Sequence, residues 1–294
     1  HAAIDIAFPL VHGTHGEDGT LQGLFELANV PYVGPGVAAS AAAMDKIASK
    51  LIFRGLGLPT VEGVWFTRRQ WLEDEGAGTA RVESDLGYPV VVKPATAGSS
   101  VGIARAATAP ELRRAVSQAI QFSTRVLVER GVEDRLEVQC SVLGNHSLVV
   151  SECEELVQAG TIVSFEDKYL GRTERQEAAD LAPSFIPARI PDGLARQVKA
   201  LAARAFQSLD ARGISRVDFL VDRPSMQPFV NEINTMPGSL CLRLWEESGV
   251  KPADLVRRLL DLAEEAHVER QATRFESPEG KGLVDKKHLM SPRK

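Results

Sequence analysis

The chain has 294 residues, 44% apolar and 25% charged, which is the balance of an ordinary globular protein with room for two or three modest domains. That composition excludes collagen-like, disordered and disulfide-scaffold chains, and no apolar run approaches the ~20 residues of a membrane helix. Thirty-four basic against thirty-nine acidic residues leave a net charge of -5, which weighs against a nucleic-acid backbone as main partner but leaves room for a small anion in a locally basic pocket.

Residues 4–11 form an apolar, strand-like run without the basic start and cleavage site of a signal peptide. The run breaks into the glycine-rich stretch His12-Gly13-Thr14-His15-Gly16-Glu17-Asp18-Gly19. A short helix follows with Leu21, Leu24, Phe25 and Ala28 on one face, then strand and turn over 31–36. The spacing predicts a helix over 44–54, stopped by Gly55, Gly57 and Pro59. Residues 88–93 (YPVVVK) are a β-branched run that ends in a lysine.

Thr108 and Glu111 match a capping box, and the helix behind them is expected to bury Leu112, Val116 and Ala119 or Ile120. Strands are expected over 125–129, 136–142 and 148–151, and a long amphipathic helix over 194–209. Two further runs, 216–221 and 228–233, read as a hairpin around Asp222-Arg223-Pro224-Ser225. A closing helix covers 253–266, and from Glu269 the tail is charged and expected to fray. Strands and helices mixed in this way point to α/β domains and not to one doubly wound sheet. Cys140, Cys153 and Cys241 lack the spacing of a disulfide framework or zinc site. Small buried or half-buried thiols, in a reducing cytoplasm, are expected.

Chemistry concentrates at two places. Lys93 ends its strand beside the loop Ala95-Thr96-Ala97-Gly98-Ser99-Ser100-Val101-Gly102, whose small residues let backbone N–H groups approach an anion. A plain structural turn explains that loop equally well. Asp218 lies in one strand of the hairpin, and Glu232 and Asn234 lie in the next, where alternation sends them to one face. Two carboxylates and an amide oxygen suit Mg²⁺ shared with phosphate oxygens, although a solvated strand face is the alternative. Arg216, two residues before Asp218, shares that face and can stabilise developing charge.

Six segments in order, HGTHGEDGTLQG, YVGPGVAASAAAMDK, YPVVVKPATAGSSVGI, FEDKY, RVDF and NEINTMPGS, resemble the D-alanine-D-alanine ligases of the ATP-grasp superfamily. The resemblance covers about residues 7–266. It implies an α+β ATP-grasp fold: a partial N-terminal α/β substrate domain (1–43), a central subdomain (44–124), a C-terminal catalytic subdomain (125–268) and a flexible tail (269–294), with ATP between the two subdomains. By position it assigns Lys46 and Lys93, with Ser100, to the ATP phosphates. Glu129 falls to the adenine amino group, the backbone of Gly131 and Val132 to the ring edge, and Glu137 to the ribose. Asp218, Glu232 and Asn234 match ligands of Mg²⁺ or Mn²⁺, two ions in all.

His12 and Glu17 match the first-substrate region. Ser99 and Tyr169 match the link between the phosphate loop and a mobile loop, and Lys168 is the loop lysine that reaches ATP. Arg216 and the Gly238 N–H are the candidates for the oxyanion, and Ser239 and Leu240 for the acceptor carboxylate. The implied partners are ATP and D-alanine, without nucleic acid or membrane, in a cytoplasmic homodimer that makes a peptidoglycan precursor. The alternatives are an ATP-grasp ligase for another acceptor (D-lactate, D-serine or another amino acid) and an ATP-binding remnant without ligase activity.

Three departures from the family pattern shape the expectations. The usual stretch before HGxxGEDG, with a glutamate for the first substrate's ammonium, does not precede His1. The segment between Gly238 and Leu244-Trp245 is short, and Val163 stands where many members carry a tyrosine. The expectation is therefore a chain that binds ATP and ligates D-alanine poorly, with ligation restored by an N-terminal extension.

Overall fold

The computed structural model describes residues 4–98, 101–157 and 183–273. Its two sheets follow from the β-branched runs. In the smaller, β1 (Gly63–Thr67), β2 (Val90–Pro94), β3 (Ala104–Ala106) and β4 (Arg125–Arg130) pair antiparallel in the order β1-β4-β2-β3. Valines at alternate positions, Val90 and Val92 of β2 with Val126 and Val128 of β4, point to one side and are completely buried. Two helices cover them: α5 (Glu75–Asp85) supplies Val82, and α6 (Ala109–Ala119) supplies Leu112, Ala115, Val116 and Ala119. Trp71 of α4 (Arg68–Glu73) closes the cluster, with its ring edge-on to Phe66 at 5.4 Å between centroids.

The larger sheet runs β10-β9-β5-β7-β8, with β6 on the end of β5. Its strands are β5 (Arg135–Leu143), β6 (Val149–Val150), β7 (Glu154–Leu156), β8 (Ser184–Phe185), β9 (Ile214–Asp222) and β10 (Gln227–Asn234). Val138, Cys140, Val217, Phe219, Val221 and Val230 face a core shared with α7 (Asp192–Ser208). α7 contributes Val198, Leu201, Ala202, Ala205 and Phe206 on one stripe. Phe206 is fully buried, and its truncation to alanine would cost about 3–5 kcal/mol. The opposite face of this sheet, with Glu137, Arg216, Asp218, Glu232 and Asn234, is only half-buried.

Early elements side with the larger sheet. α1 (Thr20–Ala28) leads to α2 (Val37–Met44), whose Ala39 and Ala43 join the α7 core, as does Phe53 of α3 (Lys46–Gly55). A third cluster gathers Val33, Ile214, Met236 and Trp245 under α8 (Leu242–Glu247) and α9 (Pro252–Ala272). Gly213, at φ 71°, starts β9 so close to the N-terminal segment that a Cβ there would stand 3.1 Å from the Gly34 backbone. Among the described residues no helix is long and apolar enough to cross a membrane.

Several expectations need correction. β4 belongs to the smaller sheet, and the larger sheet begins with β5 at Arg135. Residues 4–11 give a single parallel bridge, Ala7 to Tyr32, and Leu10 and Val11 stay exposed. The predicted apolar face of α1 is largely open, with Leu24 58% exposed; Gln22 is its buried residue. The helix predicted over 44–54 is α3, which starts at Lys46 because Asp45 caps it by accepting N–H bonds from Ile47 and Ala48, while Met44 ends α2. At Thr108 the hydroxyl does cap, but Glu111 takes the N–H of Ala107 and not that of the cap residue. The closing helix continues to Ala272, held where Glu269 accepts from Arg212 and contacts His146. Residues 269–272, where fraying was expected, are therefore helical, and the tail beyond residue 273 lies outside the described residues.

Candidate active site

The half-buried face of the β9–β10 hairpin carries the acidic cluster. Register sets Glu232 opposite Asp218 and Asn234 opposite Arg216. Arg216 donates through Nε and Nη2 to both oxygens of Asp218, at 2.7 and 2.8 Å, and Asn234 Nδ2 donates to Asp218 Oδ2 at 3.0 Å. Burial raises the Asp218 carboxyl above its ordinary value despite the guanidinium beside it. Asp218 in turn holds Arg216 firmly protonated. Glu232 is lowered, first by Lys46, whose Nζ lies 3.3 Å from Oε2.

A bulge between Val230 and Glu232 adds a feature that regular alternation hides. Asn231 and Glu232 both lie on the half-buried side, and Asn231 Oδ1 accepts from Lys93 Nζ at 3.0 Å. Lys93 ends β2, so this bond crosses from one sheet to the other. Lys46 opens α3, where its backbone N–H bonds Ala95 O at 2.8 Å and its Nζ donates to Ala97 O at 3.0 Å. Asp45, the cap of that helix, pairs with Arg125. Both lysines are thus fixed from the backbone outward beside the acidic hairpin.

Glu129 of β4 is 2% exposed and lies between two cations, Lys93 Nζ at 2.6 Å and Lys50 of α3. Burial pushes its carboxyl up, but Lys50 and Lys93 pull it further down, to about 2. Burial takes the Lys50 ammonium down to about 8, with Glu129 opposing. Lys50 escaped the sequence reading, although its spacing of four from Lys46 puts both on one helix face. Asn231 escaped because no sequence signal marks the bulge.

The remaining candidates fall around this centre. Glu137 of β5 accepts from Arg135 Nε at 3.2 Å, the Gly131 N–H bonds Pro89 O at 2.8 Å, and Val132 O accepts from Arg135 Nη1 at 3.1 Å. His12 Nδ1 stands 3.0 Å from Met236 O. Glu17 accepts the Gly13 N–H at 2.6 Å and the Met236 N–H at 3.3 Å, which staples the glycine-rich loop to the chain just past Asn234. Beyond exposed Gly238, the residues Ser239, Leu240 and Cys241 have φ of 50°, 52° and 52°, a left-handed turn of three non-glycine residues. Ser239 is exposed at its start. Ser99, Ser100, Val163, Lys168 and Tyr169 lie outside the described residues.

Asp218, Glu232 and Asn234 supply hard oxygen donors on one face, the set that Mg²⁺ or Mn²⁺ takes when phosphate oxygens and water complete its shell. The fit depends on that sharing, since no group of three or more His, Cys, Asp or Glu residues able to hold a metal occurs among the described residues.

Comparison with known proteins finds family models and relatives that span most of the chain. The family model "D-ala D-ala ligase C-terminus" matches residues 52–261, and "D-ala D-ala ligase N-terminus" matches residues 1–35. A D-alanine--D-alanine ligase of Acetivibrio thermocellus is 42% identical over 264 residues, 88% of this chain and 68% of the relative. One from Listeria monocytogenes is 42% identical over 274 residues, 92% of this chain and 72% of the relative. Among solved structures, the D-alanine-D-alanine ligase from Coxiella burnetii aligns with a TM-score of 0.76 at 33% identity, covering 91% of this chain and 70% of that one. The VanG D-Ala:D-Ser ligase from Enterococcus faecalis aligns with a TM-score of 0.78 at 32% identity, covering 89% and 74%. With two antiparallel sheets meeting at paired lysines and an acidic hairpin, and with both family models matched in order, the chain belongs to the D-alanine-D-alanine ligase family.

Proposed function

We propose that the chain uses ATP to join two D-alanines into D-alanyl-D-alanine for peptidoglycan precursors. The observation that carries this reading is the convergence of Lys46 and Lys93 on the β9–β10 hairpin, 3.3 Å from Glu232 and 3.0 Å from Asn231. Two ammonium groups facing carboxylates suit a polyphosphate shared between cations, and phosphoryl transfer is chiefly a matter of such neutralisation and positioning.

In this mechanism the carboxylate of the first D-alanine attacks the γ-phosphorus, ADP leaves, and an acyl phosphate forms. The amine of the second attacks the acyl carbon, and phosphate leaves from the tetrahedral intermediate. Lys46 and Lys93 hold the phosphates. Glu137 takes the ribose and the Gly131–Val132 backbone takes the adenine edge. For Glu129 to reach the adenine amino group its carboxylate must turn from the two lysines, which the arriving phosphates would favour by competing for Lys93. A divalent ion held by Asp218, Glu232 and Asn234 would neutralise phosphate charge. Arg216, kept protonated by Asp218, and the Gly238 N–H face the developing oxyanion.

His12 and Glu17 shape the first-substrate side, and Ser239 with the Leu240 backbone seats the acceptor carboxylate. A homodimer in the cytoplasm is part of the same reading. Because the D-Ala:D-Ser ligase is as similar in fold as the D-alanine enzyme, D-serine is the competing acceptor. Phosphate release from ATP, measured with D-alanine, D-serine, D-lactate and L-alanine separately and with products weighed by mass spectrometry, decides between them. ATP binding without phosphate release in the presence of any of these acceptors would refute ligation.

A further inference from the structure

A second chemical feature lies behind the acidic face, in the core under α7. β5 and β7 pair antiparallel, Glu137 with Leu156, Val138 with Glu155 and Gln139 with Glu154. Cys140 and Cys153 flank the last of these pairs, next to Gln139 and Glu154 on the two strands. Both are in the α7 core, 0% and 1% exposed, and both are free thiols. If that register runs one residue further, their Cα atoms lie about 4.5–5.5 Å apart, within the roughly 4.4–6.8 Å that a disulfide spans. Cys153 Sγ lies 3.9 Å from Ala195 O of α7, and the nearness of the two thiols lowers Cys153 and raises Cys140. Lys199 of α7, paired with Glu152 at 2.8 Å, is a cation whose charge favours the thiolate of both. Cys241 stands apart, beside Ser141 and Arg216.

We propose that Cys140 and Cys153 form a redox-active dithiol that hydrogen peroxide closes into an intramolecular disulfide between β5 and β7. The Cys153 thiolate attacks the peroxide O–O bond, takes one oxygen as sulfenic acid and releases hydroxide, which leaves as water with the thiol's proton. The Cys140 sulfur then attacks the sulfenic sulfur, an S–S bond forms, and the hydroxyl leaves with the second thiol proton as a second water. Two thiols are oxidised and one peroxide is reduced. Access comes through the sheet edge, because β7 has three residues and β8 two, and so short a ladder opens far more readily than the core strands. The bond would tie the strand carrying Glu137 and Gln139 to its edge neighbour without changing register.

The test oxidises the full chain with hydrogen peroxide, removes the peroxide, denatures the protein and alkylates the thiols. Two of the three thiols should become unreactive, and dithiothreitol should restore them. Cleavage after Glu137, Glu152 and Glu154 puts the cysteines on separate peptides, 138–152 and 153–154, which should then run as one linked mass. Cys241→Ala should leave that linkage intact, and Cys153→Ala should abolish it. Three reactive thiols after oxidation, or a linkage that includes Cys241 or a second chain, would overturn the proposal. Peptide mapping of the unaltered protein decides the matter even if a core variant fails to fold.

Discussion

Replacing Glu129 by glutamine isolates the charge at the centre of the lysine cluster, since the amide keeps the shape of a protonated carboxyl. The folded carboxyl lies at about 2, against an ordinary value of 4.5. At 1.36 kcal/mol per unit, ionised Glu129 stabilises the fold by about 3 kcal/mol at pH 7. The same magnitude follows from stranding a buried cation, about 3–5 kcal/mol, because among the described residues Lys50 has no ion pair besides Glu129 and is almost without solvent. Being a depressed carboxylate, Glu129 contributes fully above pH 4.5, and the contribution is lost as pH falls through the folded value near 2. The penalty of Glu129→Gln should thus be constant from pH 5 to neutrality and fade only in strong acid. Above neutrality it should shrink, because Lys50, already down at about 8, loses its proton sooner in the variant. Calorimetry should show the melting temperature lowered by roughly 6–12 °C. Adding Lys50→Met to Glu129→Gln should return more than half of the loss, since it removes the stranded ammonium. A single variant within 2 °C of the parent, or a double variant no better than the single, would show that the charge on Glu129 does not hold the cluster together.

The remaining predictions concern ligands. Lys93→Ala should weaken ATP binding at least tenfold by calorimetry, the worth of a charge-assisted hydrogen bond, while the fold survives; equal affinity would remove Lys93 from the site. Glu232→Gln should lower Mg²⁺-dependent turnover at least tenfold with far less effect on melting temperature. Normal work by that variant at low Mg²⁺ would make the hairpin a solvated strand face. Ser239→Ala should raise the acceptor KM several-fold at constant ATP affinity, and an unchanged acceptor KM would assign the carboxylate to another group.

What the sequence could and could not reveal follows from how far each signal reaches. The β9–β10 hairpin was legible because its alternation is local: Val217, Phe219 and Val221 go inward and Arg216, Asp218 and Leu220 outward. α6 and α7 were legible because their apolar stripes repeat over three or more turns. β1 and the helices α4 and α5 escaped, since five, six and eleven residues with mixed polarity carry little periodicity. Their placement comes from pairing with β4 and from Trp71 and Val82 filling the core beneath it. The apolar run 4–11 shows the converse failure, in which strand-like composition finds only one bridge.

The site divides along the same line. Asp218, Glu232 and Asn234 share a face because one bulge adjusts the alternation of β10 to that of β9. Glu232 and Asn234 are two apart, so they agree with each other in any regular strand. Their agreement with Asp218 depends on the register across the turn, which the bulge at Asn231 sets. Were Asn231 paired regularly instead of bulged, Asn231 and Ile233 would share the face now held by Glu232, and Ile233 would leave the core it fills at 4% exposure. The bulge therefore does two things at once: it keeps Ile233 buried and it turns Asn231 toward Lys93. A deletion of Asn231 would remove the bulge and restore regular pairing, with Glu232 still opposite Asp218 and Ile233 still opposite Val217. What the deletion takes away is the acceptor for Lys93, and with it the bond that joins β2 to the hairpin. The residue that no periodicity could find is thus the one that ties the legible hairpin to the other sheet.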